Sequence, residues 1–350
     1  MKNFEYKNTA PKLFTVEIIN LISAIHEYKG KQDLLIKTNP DILSHLIDIA
    51  KIQSIDSSNK LEDITISELR LKEIVQKKSA PLTRNEKEIA GYHDVLTTIY
   101  DNYDYITPRS NAILQIHRDL YSHTSSSIGG KYKNTDNLIQ RINSNGEKKV
   151  HFKPLSTTET PEAMEKLCDT FIEEIKKGDF DPLLLIPMFI LDFLCIHPFN
   201  DGNGRISRLL TLLLLDRSGY IVGKYISLEM LIEKTKETYY DVFHNSSKCW
   251  HEDKNDYIDF VEYYLTIILE AYKQFTNRTE ILNKKSLNKT ERIQIAIENK
   301  LGKITKKEIL DLCPDISQTT VEKVLNDLIK QGTILKIGGG RYTQYIFNRD

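Results

Sequence analysis

A chain of 350 residues with 40% hydrophobic and 28% charged residues has the make-up of a globular protein with room for two or three domains. Its formal net charge of -1 excludes an overall field that would gather nucleic acid or a membrane surface. Pro187, Asp192 and His197 interrupt the longest apolar runs, so none is read as a membrane span, and "MKNFEYKNTAPKLFTVEIIN" lacks a signal-peptide pattern.

Cys168, Cys195, Cys249 and Cys313 are scattered with no CxxC pair, and read as reduced core residues of a cytoplasmic protein. Up to Tyr105 the pattern is helical. "TVEIINLISAIHEYKGKQDLL", "DILSHLIDIAKIQSI" and "RNEKEIAGYHDVLTTIYDNY" repeat apolar residues at three and four positions. "TPRSNAILQIHRDLYSHT" predicts a helix with Thr107 as N-cap and Pro108 at its first position. The Asn145-Gly146 pair among alternating residues predicts a β-hairpin. Helices resume at "TPEAMEKLCDTFIEEIKKG", "DPLLLIPMFILDFLCIH", "GRISRLLTLLLLDRSGY" and "DYIDFVEYYLTIILEAYKQF".

Beyond the polar "NKKSLNKTE" the texture changes. "TERIQIAIENK", "KKEILDLCP" and "SQTTVEKVLNDLIKQG" predict three helices, the last capped by Ser317. "TILKIG" and "RYTQYIFN" predict a terminal hairpin across Gly338-Gly339-Gly340. Three helices and a hairpin fit a winged helix-turn-helix, built to contact DNA or, on the plainer reading, protein. The expected division is an N-terminal helical region 1–105, a core 106–275, a linker 276–288 and a winged helix 289–350. The fold class is mainly α with a small β-hairpin flap.

"HPFNDGNGR", from His197, sets polar residues between two apolar helices, where they cost free energy unless paired or liganded. Gly202-Asn203-Gly204 leaves backbone N–H groups free at the start of the second helix, a ready anion site. Arg205 and Arg208, three apart, suit a polyphosphate. Asp201 beside phosphates calls for a bridging divalent cation such as Mg²⁺. His197 is a candidate general base, and Phe199 anchors the loop in the core. A helix–loop–helix whose polar residues cap one another is the plainer alternative, and the full set at this spacing speaks against it.

"HPFNDGNGRISR" is similar, without departure, to the Fic family motif HxFx(D/E)GNGRxxR, and the resemblance covers about residues 1–275. "GGKYKNTDNLI" looks like the family's G-x-Y-R-x-x-x-N-x-I stretch, with Lys133 in place of Arg: a charge without the bidentate fork. The resemblance implies an all-helical core with a flap, and transfer of AMP from ATP to a Ser, Thr or Tyr hydroxyl of a target protein, the chain itself included. It implies that His197 takes the hydroxyl proton, that Asp201 holds Mg²⁺, and that Gly202, Gly204 and the Asn203 side chain cradle the α-phosphate. By the same likeness Arg205 meets the β-phosphate, Arg208 the γ-phosphate, and Tyr240 of "KETYYDVF" the adenine. Asn245 is out of register for the family's nearby Asn. Tyr239 and Tyr240 fit a plain core equally well. Leu138 would clamp a target strand added to the flap, or serve as a hairpin core residue.

"SSNKLEDI" is similar to the inhibitory motif (S/T)xxxE(G/N), with Ser58, Glu62, and Asp63 in place of Gly or Asn. Four apart, Ser58 and Glu62 would share a helix face, from which the carboxylate could pair with Arg208. Two further readings stay open. One is a Fic-type transferase using another nucleotide, as in the related Doc proteins, against which Gly204 speaks. The other is a DNA-binding regulator whose Fic domain senses nucleotide, against which an intact His197 speaks. No membrane partner is expected, and a homodimer stays open.

Overall fold

The computed structural model describes residues 2–38, 40–77, 79–142, 148–283, 288–298 and 303–348. Two compact units divide the chain: Met1–Glu27 with Ala50–Ala271, and Tyr28–Ile49 with Tyr272–Asp350. In chain order the first helices are α1 (Tyr6–Thr9), α2 (Val16–Thr38), α3 (Pro40–Lys60), α4 (Glu68–Lys77), α5 (Arg84–Asn102) and α6 (Ser110–Leu120). Strands β1 (Ile139–Ile142) and β2 (Lys148–Phe152) follow, antiparallel, with a register irregularity at Ile139/Gln140. Their connecting turn, including Asn145-Gly146, lies outside the described residues. Then come α7 (Thr160–Lys177), α8 (Pro182–Ile196), α9 (Asn203–Arg217), α10 (Leu228–Lys234), α11 (Lys236–Ser247) and α12 (Ile258–Asn283).

Helix α8 is the axis of the first unit. Every residue from Leu183 to Ile196 is buried, because α7, α9 and α11 all pack on it. A helix apolar all round belongs in such a position. It carries one carboxylate, Asp192, which is fully buried. That group accepts from Tyr6 Oη at 2.8 Å, Trp250 Nε1 at 2.6 Å and Tyr257 Oη at 2.9 Å. Helix α9 in turn packs on α5, α6 and α8, so the loop between α8 and α9 is held by buried helices on both sides.

In the second unit α13 (Lys289–Glu298), α14 (Lys306–Leu312) and α15 (Gln318–Lys330) enclose a core with β3 (Ile304–Thr305), β4 (Ile334–Ile337) and β5 (Gln344–Phe347). The sheet order is β3-β5-β4, all antiparallel. Ser317 caps α15, its Oγ accepting from Thr320 N–H, and Thr305 with Glu308 forms a capping box on α14.

Two expectations are corrected. Thr107 is not an N-cap: the chain stays extended through Arg109, whose N–H bonds Thr107 O at 2.8 Å, and α6 starts at Ser110. Cys249 is exposed, in a left-handed turn at φ 55°, while the other three cysteines are buried.

Candidate active site

The loop begins where α8 ends. His197 caps the helix in the left-handed region at φ 52°, its N–H donating to Phe193 O at 2.9 Å. Glycine is usual at such a position, so a His there is held by its surroundings. Phe199 is fully buried and stacks on His117, centroids 3.7 Å apart and planes within 3°. His117 Nδ1 accepts from Gly130 N–H at 3.1 Å and Nε2 meets Asp201 O at 3.1 Å, which assigns the ring proton to Nε2. Burial pulls its pKa down to about 4, so the ring stays neutral in this bridge.

Asn203 corrects an expectation. Its Oδ1 accepts from Phe199 N–H at 2.9 Å and its Nδ2 donates to Phe199 O at 2.8 Å. The side chain closes the loop on Phe199, which leaves backbone N–H groups as the donors at this end of α9. Gly202 stands at φ 84°, where a Cβ would lie 3.0 Å from Tyr121 Oη. Asp201 is half-exposed, one oxygen accepting from Gly202 N–H at 2.6 Å.

Arg205 is the second correction. It does not share a surface with Arg208: it is wholly buried, pairs with Glu88 Oε2 at 2.9 Å and donates to Tyr121 Oη at 2.8 Å. It anchors α9 to α5 and α6, and in this structure it presents no surface to a phosphate. Arg205→Lys keeps the charge and loses the second bond. It is expected to cost about 1.5–3 kcal/mol in a urea melt, the worth of a hydrogen bond to a charged group. An unchanged midpoint would mean that the buried pairing is not what holds this residue.

Arg208 carries the other contact. Its Nε donates to Ser58 Oγ at 2.8 Å, and its Nη2 to Ser58 O at 2.9 Å and Glu62 Oε1 at 2.8 Å. Glu62 is not on the helix face with Ser58, as expected from the spacing. Helix α3 stops at Lys60, and Glu62 sits in the closing turn, its N–H on Asn59 O at 3.0 Å. Asp63 follows at φ 59°, a left-handed position that Gly, Asn and Asp tolerate, which is what a Gly or Asn there supplies in the related motif.

The carboxylate lies directly over the start of α9. A Cβ on Gly204 would fall 2.1 Å from Glu62 Oε1 and 3.2 Å from Arg208 Nη1. A negative group thus occupies the positive end of the helix. Tyr240 is half-buried beside it: burial first, then the Glu62 charge, pushes its hydroxyl up to about 12. Tyr239 next to it is buried among Phe260 and Tyr263, a core aromatic. Leu138, just before β1, is 48% exposed.

His197 Nδ1 is buried with no hydrogen-bond partner among the described residues. Burial, then the Lys133 charge, holds the ring at about 4, against weaker opposing pulls from the Leu194 carbonyl, Glu62 and Asp201. The imidazole is therefore unprotonated at neutral pH, the form a base needs. Four residues that shape the loop escaped the sequence: Glu88, Tyr121, His117 and Asn137. Only Asn137 stood in a motif; its Nδ2 donates to Phe199 O at 3.1 Å.

Residues 105–215 match the Fic/DOC family model. A protein adenylyltransferase Fic of Nematostella vectensis is 25% identical over 235 residues, 64% of this chain and 49% of that protein. One of Aedes aegypti is 28% identical over 184 residues, 49% of this chain and 33% of that protein. The chain thus spans half or less of the length of these curated relatives. Among solved structures, a Fic family protein from Desulfovibrio desulfuricans superposes with a TM-score of 0.63 at 19% identity, covering 96% of this chain and 97% of that one. A Fic domain containing signaling protein from Bacteroides thetaiotaomicron gives 0.62 at 23%, covering 73% and 97%. At these identities the structures speak for the fold.

Proposed function

We propose that this chain, which carries a Fic/DOC-family domain over residues 105–215, transfers AMP from ATP to a hydroxyl of a protein side chain and is held in check by Glu62. The observation that carries the reading is the carboxylate lodged over Gly204 and paired with Arg208, at a helix start that otherwise suits a phosphate. The names of the adenylyltransferase relatives support ATP as the substrate.

ATP would set its phosphates against the N–H groups at Gly202–Gly204, with the γ-phosphate on Arg208 and the adenine by Tyr240. His197 would take the proton of the target hydroxyl, and that oxygen would attack the α-phosphorus as its bond to the bridging oxygen breaks and pyrophosphate leaves. The helix N–H groups would stabilise the charge that develops. Among the described residues no three His, Cys, Asp or Glu cluster as a metal site. The half-exposed Asp201 is a hard oxygen donor at the phosphate end, which fits Mg²⁺ bound by one carboxylate with phosphate and water oxygens. Mg²⁺ there would neutralise phosphate charge. Strand β1 and Leu138 would hold the target by strand addition.

The residues 289–350, read as a winged helix, would choose a partner, DNA or protein, through α15, which exposes Gln318, Thr319 and Lys323. Among the described residues no helix is long and apolar enough to cross a membrane. A cytoplasmic setting, self-modification and a homodimer belong to the same proposal. Residues Ile293 to Tyr345 form a buried cluster of their own, so deletion of 289–350 is expected to leave transfer measurable. Complete loss in a folded deletion variant would assign that unit to the site. Mass spectrometry of the protein with ATP and Mg²⁺ tests the whole reading. An AMP-sized gain on itself or on a lysate protein is expected, and a phosphate-sized gain would overturn it.

A further inference from the structure

The residues leading into the flap hold the carbonyl groups of both neighbours of His197. Lys133 N–H donates to Pro198 O at 2.8 Å, and Lys133 Nζ donates to Ile196 O at 3.0 Å. The ammonium also meets Asn137 Oδ1 at 3.4 Å, and the residue is 3% exposed. Ile196 O is among the last four carbonyls of α8, which have no partner inside the helix. A buried cation at a helix C-terminus also meets the negative end of the dipole. A non-glycine residue at φ 52° needs such fixing on both sides.

We propose that Lys133 is a positioning residue for His197, fixing the carbonyls of the residues before and after it, Ile196 and Pro198, from the base of the flap. This rests on the reading of His197 as the base. Burial draws the ammonium down to about 8, with Asp136 and Glu159 pulling the other way, so it is charged at neutral pH. That charge is also the second cause, after burial, of the low pKa of His197, which Glu62 and Asp201 oppose.

The test compares Lys133→Met and Lys133→Arg in the Glu62→Gly background by the NMR titration of the His197 ring, kcat and ATP binding. In Lys133→Met the ring should titrate about one pH unit higher, since a like charge has gone. Its kcat should fall about tenfold or more through misplacement of the base, with ATP binding within about twofold. Lys133→Arg should keep both near the parent values. An unmoved titration and kcat in Lys133→Met, or Lys133→Arg behaving like it, would overturn the assignment. If the parent itself transfers no AMP while the titration shifts as described, the adenylyl-transfer reading fails and the positioning role stands. Should Lys133→Met melt below assay temperature, Lys133→Gln carries the same titration test.

Discussion

His197→Ala is expected to abolish AMP transfer while ATP still binds within a few-fold of the parent protein. On the proposed reading the phosphates meet the N–H groups of α9 and Arg208, and neither contact passes through the imidazole. The ring faces no partner at Nδ1 among the described residues and is neutral at physiological pH, so its removal takes away a proton acceptor and little else. A positioned general base is worth about 10²–10⁴-fold in rate. Transfer within a few-fold of the parent would remove His197 from that role. The variant has a second signature. His117 and His197 both sit near 4 when folded, against an ordinary 6.5. The unfolded chain takes up their protons first, so folded stability is full above about 6.5 and falls as the pH drops toward 4. His197→Ala loses one of these two sites and should unfold at lower pH, relative to its neutral stability, than the parent.

Glu62→Gly is expected to raise transfer at least about tenfold, within the roughly 5–150-fold range of a coupling free energy of about 1–3 kcal/mol. The carboxylate acts in two ways at once. It accepts from Arg208 at 2.8 Å, which on the proposed reading keeps that guanidinium from the γ-phosphate, and it lies over the start of α9, where the phosphates would sit. ATP can enter beside it only with its phosphates out of line for attack, a loss of orientation. Arg208→Ala should not imitate the release, because the same guanidinium is needed by the nucleotide. Equal rates for the parent and Glu62→Gly at saturating ATP would leave Glu62 a mere partner of Arg208.

The loop was legible in the sequence because seven polar or glycine positions in nine residues interrupt two apolar helices. What each residue does was legible only in part. Asn203 and Arg205 belong to the right residue types for a phosphate, yet Asn203 is consumed by the backbone of Phe199 and Arg205 by Glu88 and Tyr121. Composition does not tell whether a polar side chain serves the loop or its ligand. That depends on partners such as Tyr121, 84 positions from Arg205. Glu62 was placed on a helix that ends two residues before it, since spacing does not mark a helix end when Asp stands where Gly would announce one. Helices α4 and α10 and strand β3, of 10, 7 and 2 residues, are too short for periodicity to declare.

The donors gathered on Asp192 bear on how the chain is made. Tyr6 leaves the ribosome before Asp192, whereas Trp250 and Tyr257 follow Asp192 by 58 and 65 residues, roughly 3–13 s at synthesis rates of about 5–20 residues per second. Throughout that interval "PLLLIPMFILDFLCI" is an apolar run whose burial is still incomplete. Its single charge is Asp192. While water still reaches it, the ionised carboxylate guards the run against self-association, and its burial waits until the last two donors have been synthesised. The group that the finished fold must satisfy with three hydroxyl and indole donors is thus the gatekeeper of the unfinished one.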